Sequence, residues 1–247
     1  MHRRSSVGTL PPMTHPPDSG SSGNTWLSWS SGKDSAWALY QLRKPGGSAL
    51  SQPPTALFTT VNAAADRVAM HAVRRELLQR QADAAGLPLH VVEIPFPCSN
   101  EQYAEAMNGL LALALAANVN TMAFGDLYLE DIRAYRETML KETPIAPVFP
   151  LWLQDTAELS RRMVDEGLVA HLSCIDPKVL PTSFAGRVYD HALLDELPEG
   201  IDPCGENGEF HTFVSAGPML SETLNINLGQ VIERDGFVFA DLTLCES

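Results

Sequence analysis

The run Ser30–Ser35, with the sequence SSGKDS, holds most of the chemistry that this chain offers. It follows an apolar stretch and precedes a helix-like one, so backbone N–H groups and a helix dipole would converge there on a phosphate. Gly32 permits an unusual backbone angle, Lys33 supplies a cation, and Asp34 suits a phosphate site that also holds Mg²⁺. The alternative is a capped turn with Asp34 or Ser35 at the N-cap. The chain contains no GxxxxGK[ST] motif, so the run is not a Walker P-loop.

A second polar stretch, residues 202–212, combines three carboxylates, a histidine, a thiol and two glycines. Strand alternation from Glu209 would place Glu209 and His211 on one face, where they suit substrate orientation or proton transfer. A polar glycine turn is the alternative interpretation. The spacing does not favour a zinc site, and Cys204 has no identified base, so it is more typical of an inert thiol. The further candidates for substrate contact in this stretch are Asp202, Glu206 and Asn207.

Two arginines, Arg133 and Arg136, come shortly after Gly125-Asp126. They could reach an anionic substrate or pyrophosphate, and we therefore include them among the substrate-binding candidates. A solvated helix face is the alternative.

Strands and helices alternate through the first half of the chain, which predicts βαβ units and a parallel sheet covered on both faces. The predicted strands lie near 26–29, 55–61, 90–95, 119–124 and 145–151. The predicted helices lie near 36–40, 67–85, 100–117 and 130–141. Ligands bind beyond the carboxyl ends of the strands in such sheets. The loop Ser30–Ser35 (including Ser31), with Thr60, Gly125 and Asp126, is therefore predicted to hold a nucleotide.

The second half has a different pattern, with a helix near 156–167, a short helix near 190–197 and several short strands. These strands are predicted near 169–175, 211–214, 224–226, 231–233 and 237–244, with a hairpin turn at 234–236. We predict a nucleotide-binding domain over 24–150 and a smaller α+β domain over 151–247. Residues 1–23, rich in Pro, Ser and Gly, are predicted to be a disordered tail.

Composition narrows the choice of partners. A net charge of −13 argues against a broad nucleic-acid or anionic-membrane surface. The four cysteines are far apart and lack CxxC or zinc spacing, which favours reduced thiols, and no apolar run approaches the length of a membrane span. These features predict a cytoplasmic protein without a membrane partner; they allow a homodimer.

The motifs SSGKDS, FGDLYLEDIRAYRE, PLW and CGENGEFHTFV occur in that order between Trp26 and Pro218. Together they resemble the diphthine–ammonia ligase family of PP-loop ATP pyrophosphatases, and within it the short prokaryotic branch described as adenine-nucleotide α-hydrolases. Two positions depart from the family pattern. Ser31 stands where the longer family form usually has a second glycine, and His211 stands where ligases acting on diphthine usually have glutamate.

The resemblance implies an α/β fold: a HUP-like parallel sheet with helices on both faces, followed by a smaller α+β domain. It implies that ATP activates an unidentified carboxylate as an acyl-adenylate with release of pyrophosphate, and that ammonia or an amine then displaces AMP. By position, the loop Ser30–Ser35, called the phosphate loop below, would hold phosphates and Mg²⁺. Lys33 and Asp34 would be catalytic residues, and Asp34 would also bind the metal. Glu206, Glu209 and His211 would face the acceptor. A tRNA-thiolating PP-loop enzyme and a non-catalytic adenine-nucleotide sensor are the alternatives.

Overall fold

The computed structural model describes residues 23–45, 53–63, 67–68 and 73–245. The predicted disordered tail lies outside these ranges except for Gly23. Among the described residues, no helix combines the length and the apolar character that a bilayer span requires.

The first sheet has five parallel strands in the order β4-β2-β1-β5-β6, and a two-residue strand, β3, pairs antiparallel with β2. The strands are β1 (Asn24–Ser28), β2 (Ala56–Asn62), β3 (Arg67–Val68), β4 (Leu89–Ile94), β5 (Val119–Ala123) and β6 (Ala146–Val148). The chain runs from β1 to β2 and β4 on one side, then returns to β5 and β6 on the other. The strand order therefore reverses between β1 and β5, which is where ligands bind in open α/β sheets.

Helices cover both faces of this sheet. They are α1 (Lys33–Arg43), α2 (Arg75–Ala85), α3 (Asn100–Ala116) and α4 (Glu130–Leu140). Alternating side chains of β1 divide between the faces: Leu27 packs with apolar residues of α1 and α2, whereas Trp26 packs with those of α3 and α4. The predicted HUP-like α/β architecture is confirmed.

The second half forms a four-stranded antiparallel sheet in the order β8-β7-β10-β9. Its elements are α5 (Thr156–Asp165), β7 (Val169–Ile175), a 3₁₀ turn (Thr182–Phe184), α6 (His191–Glu196), β8 (Phe210–Ala216), β9 (Ile226–Arg234) and β10 (Phe237–Leu244). One continuous apolar core joins this half to the first sheet, since Trp37 and Leu39 of α1 belong to the same buried cluster as Phe213 and Val214 of β8.

Four predicted elements differ markedly from the structure. The helix expected over 67–85 begins only at Arg75, because residues 67–68 pair with β2. The strands expected at 224–226 and 231–233 are one strand, β9, with an irregularity in its pairing to β10 near Gly229. The strand expected over 145–151 is limited to 146–148, at the edge of the sheet.

Candidate functional site

A cavity of about 480 Å³ opens at the carboxyl ends of β1, β2 and β5. The phosphate-loop candidate forms one wall and residues of α3 and α4 form another. Residues 204–206 and 210–212 of the second half close the site. The two halves of the chain therefore line one shared cavity at the point where the strand order reverses.

The phosphate loop bends at Ser31, which has a φ of 72°, and not at Gly32, whose φ is −86°. The expectation that Gly32 supplies the unusual backbone angle is therefore wrong. Ser31 is fully buried, and its hydroxyl has no hydrogen-bond partner among the described residues. Ser35 stabilises the turn instead, because its hydroxyl donates to the Gly32 carbonyl at 3.0 Å and lies 3.2 Å from the Ser30 hydroxyl.

The Lys33 side chain is buried between the loop and the second half of the chain. Its ammonium group donates to Asp34 Oδ2 at 2.7 Å and to the carbonyl oxygen of Cys204, and it lies 5.6 Å from the centre of the Phe210 ring. Burial alone would lower the pKa of Lys33, but Asp34, Cys204 and Glu206 together outweigh this effect, so the pKa is raised. The Lys33 side chain is therefore positively charged even though it is buried. Its backbone N–H donates to the Thr212 hydroxyl at 3.0 Å.

A carboxylate and a guanidinium face each other across the end of β5. Asp126 Oδ2 lies 3.6 Å from Arg136 Nε, which is beyond hydrogen-bond distance, and both side chains line the cavity. Burial raises the pKa of Asp126 despite the nearby arginine. Gly125 brings this strand end against the loop: a Cβ atom there would lie 3.0 Å from backbone atoms of Asp34 and Ser35.

Glu206 reaches the cavity from the loop between α6 and β8. Its carboxylate accepts a hydrogen bond from the Leu127 N–H at 2.7 Å, which ties this loop to the end of the first sheet. Burial raises the pKa of Glu206 to about 7. This side chain can therefore exchange a proton near neutral pH.

His211 and Glu209 have different surroundings. His211 lines the cavity, and burial together with the charge of Lys33 lowers its pKa to about 4, so the imidazole is neutral at pH 7. Strand β8 begins after Glu209, whose buried carboxylate accepts from the Asp202 N–H at 3.1 Å and from the Asn207 side chain at 3.0 Å. Glu209 thus holds the loop that carries Glu206, since the Glu206 N–H in turn donates to Asp202 at 2.8 Å.

The cavity brings together most of the residues predicted from the sequence. Those that line it are Ser30, Lys33, Asp34, Ser35, Thr60, Gly125, Asp126, Arg136, Glu206 and His211. The predicted residues outside this lining are Ser31, Gly32, Arg133, Asp202, Asn207 and Glu209. The two arginines differ clearly, because the Arg133 guanidinium stacks 4.8 Å from the Trp152 ring and bonds to Glu137, away from the cavity.

Sequence reasoning missed two buried polar residues at the site, Thr212 and Gln81. Thr212 binds the backbone of Lys33, as described above. Gln81 is fully buried in α2 and hydrogen bonds to both the phosphate loop and β8. A signal for Gln81 was present, since it interrupts the apolar face formed by Leu77, Leu78 and Ala82.

Two family models together match most of the chain. The model of the diphthamide synthase N-terminal domain matches residues 23–146, and that of the diphthamide synthase C-terminal domain matches residues 155–241. The chain belongs to the diphthamide synthase family. This assignment confirms the family resemblance carried by the sequence motifs, whereas membership of the prokaryotic branch stays a prediction.

Similarity to individual family members is low. A diphthine–ammonia ligase from Danio rerio is 24% identical over 231 residues, which cover 85% of this chain and 89% of the relative. One from Homo sapiens is 22% identical over 181 residues, covering 71% of this chain and 65% of the relative. These relatives support a ligase-type enzyme and leave the acceptor open.

Proposed function

We propose that this protein is an ATP-dependent, AMP- and pyrophosphate-forming ligase that adenylates a carboxylate and converts it to an amide with ammonia or an amine. The observation that carries this proposal is the placement of the Lys33–Asp34 pair. It lies at the first turn of α1, beside the reversal of strand order, in the same cavity as Glu206 and His211. A phosphate site and a proton-exchanging carboxylate in one cavity suit a reaction that joins ATP to a second substrate.

The phosphate loop fits a nucleotide phosphate accompanied by Mg²⁺. One Asp34 oxygen is buried and has no hydrogen-bond partner among the described residues, while the other is held by Lys33. No group of three or more His, Cys, Asp or Glu side chains suited to a metal ion occurs in the described part of the chain. Mg²⁺ commonly binds through one or two carboxylates together with substrate phosphates. We assign Asp34 to the metal, which would neutralise phosphate charge there.

We assign the other nucleotide contacts from the residues at the carboxyl ends of the strands. We assign the phosphates to the loop from Ser30 to Ser35, and the remainder of the nucleotide to Thr60, Gly125 and Asp126. The loop supplies backbone and hydroxyl groups at the start of a helix, which is the usual way that proteins hold anions without a large positive surface.

We assign the acceptor side of the cavity to Arg136, Glu206 and His211. Glu206 is the better proton acceptor, because a general base works best with a pKa near the working pH. The neutral imidazole of His211 can accept a hydrogen bond from the attacking nitrogen. Asp202, Asn207 and Glu209 support this wall by holding its loop.

The deciding experiment identifies the products of ATP turnover. With a panel of carboxylic acids and ammonium, the full chain should release AMP and pyrophosphate, detected by chromatography. The correct acid alone should support exchange of labelled pyrophosphate into ATP, because exchange requires a reversible adenylate. ADP as the main product would contradict the proposal. ATP binding without turnover across the panel would favour the nucleotide sensor, and transfer of sulfur to tRNA would favour the thiolating enzyme.

The proposal includes a cytoplasmic location, no broad nucleic-acid surface and no membrane partner, and it is compatible with a homodimer.

A further inference from the structure

Gln81 is a fully buried polar side chain on the face of α2 that packs against the phosphate loop. Its carbonyl oxygen accepts from the indole N–H of Trp29 at 3.0 Å. Its amide nitrogen donates to the carbonyl oxygens of Ser31 at 3.0 Å and of Val214 at 2.6 Å. One side chain therefore joins the end of β1, the phosphate loop and β8.

Ser31 is the residue in the loop that needs such support. Its φ of 72° lies in the left-handed region, which costs free energy for any residue other than glycine. Its buried hydroxyl also lacks a hydrogen-bond partner among the described residues. The Ser31 carbonyl oxygen, however, accepts two hydrogen bonds, one from Gln81 and one from the Val214 N–H at 3.0 Å. These two bonds fix the orientation of the peptide that precedes Gly32.

We propose that Gln81 is a positioning residue for the nucleotide site, holding Ser31 in its left-handed conformation together with β8. The expected effect on ATP binding rests on the proposed function. Because Val214 of β8 shares these hydrogen bonds, the second half of the chain also shapes the phosphate loop. Glutamine suits this position because its amide supplies an acceptor for Trp29 and two donors for the two carbonyl oxygens. Leucine or methionine offers neither, and glutamate lacks the amide donors.

The test compares Gln81→Met with Leu78→Ala, both in buried positions of α2. Gln81→Met keeps a similar side-chain volume and removes the hydrogen bonds to the loop, whereas Leu78→Ala weakens the apolar core and keeps those hydrogen bonds. Mg·ATP affinity is measured by calorimetric titration well below the melting temperature of each variant. Gln81→Met should raise Kd by at least about tenfold, and Leu78→Ala should leave it within about twofold of the wild type.

Rescue separates positioning from general support of the fold. Glycine adopts a φ near 72° without strain, so Gln81→Met combined with Ser31→Gly should regain most of the lost affinity. Equal loss of affinity in Gln81→Met and Leu78→Ala, or no rescue by Ser31→Gly, would overturn the proposal.

Two further measurements do not depend on ATP, and the second does not require Gln81→Met to fold. Without nucleotide, amide hydrogen exchange in the peptide covering residues 30–35 should speed up in Gln81→Met and not in Leu78→Ala. In the otherwise unchanged chain, Ser31→Gly should melt at a higher temperature than Ser31→Ala, because alanine keeps the left-handed strain. If the wild type failed to bind ATP while these two results held, the proposed function would fail and the role of Gln81 would stand. Unchanged exchange, or equal melting of the two Ser31 variants, would overturn the role of Gln81.

Discussion

The buried Lys33 and the partly exposed Asp34 form an ion pair at the start of α1, with nitrogen and oxygen 2.7 Å apart. Removing either group leaves the other charge uncompensated and removes a contact to phosphate or to its metal. We expect Lys33→Ala and Asp34→Ala each to weaken Mg·ATP binding by at least about tenfold, or ~1.4 kcal/mol, in calorimetric titration. Lys44→Ala is the matched control, because Lys44 pairs with Glu166 at the surface. Wild-type affinity in both loop variants would rule out the phosphate-site assignment.

Glu206 gives a prediction about pH because burial raises its pKa from 4.5 to about 7. The folded protein keeps this proton up to about pH 7, whereas the unfolded chain releases it near pH 4.5. The contribution of Glu206 to stability is therefore fully present below pH 4.5 and is lost as the pH rises through 7. The loss amounts to about 3 kcal/mol at most, reduced by partial exposure to solvent.

Glu206→Gln removes this dependence and keeps an oxygen that can accept from Leu127. In denaturant unfolding, the variant should match the wild type below pH 4.5 and exceed its stability above pH 7. Glu130→Gln, at an exposed position in α4, should follow the wild type throughout. A constant difference between Glu206→Gln and the wild type across this range would show that Glu206 does not titrate as described.

At the level of helices and strands, apolar periodicity was enough to predict the alternating elements of the first half and most of the second. It failed where the conformation depends on distant residues. The left-handed residue of the loop is Ser31, and its hydrogen bond from Gln81 spans 50 positions of the chain. Residues 67–68 likewise became a strand through pairing with β2, which local spacing does not reveal. The motifs were enough to predict where the candidate site lies. Only the packing of α4 shows that Arg136 lines the cavity and that Arg133 does not.

The close contact between the end of β5 and the start of α1 predicts that a side chain at residue 125 would be destabilising. A Cβ atom at residue 125 would lie 3.0 Å from the backbone of Asp34 and Ser35, which cannot yield as a flexible side chain would. Gly125→Ala should cost roughly 1–3 kcal/mol of stability and weaken ATP binding. Gly109→Ala is the matched control, since its Cβ would meet nothing within 4 Å; at this exposed position of α3 it should add roughly 0.5–1 kcal/mol of stability. Similar behaviour of the two variants in unfolding and titration would contradict this account of the strand end.

For the whole molecule, the strands described by the structure form two distinct sheets that share one apolar core. The cluster that contains Trp37 of α1 also contains Phe213 of β8, and backbone hydrogen bonds such as Val214 N–H to Ser31 cross between the halves. Separating the halves would expose this shared apolar surface and open the cavity. The nucleotide site is therefore a property of the whole chain, even though its phosphate loop lies in the first half.

This continuity predicts how the full chain unfolds. Neither half can unfold without exposing core of the other, so calorimetry should record one transition with equal calorimetric and van't Hoff enthalpies. Mg·ATP at about 100 times its Kd should stabilise that single transition by about 2.7 kcal/mol, because the ligand binds only the folded chain. Lys33→Ala serves as the control, since it should unfold in one transition that ATP at the same concentration shifts much less. Two resolved transitions, with ATP moving only the one that belongs to the first half, would mean that the two sheets unfold as independent units despite their shared core.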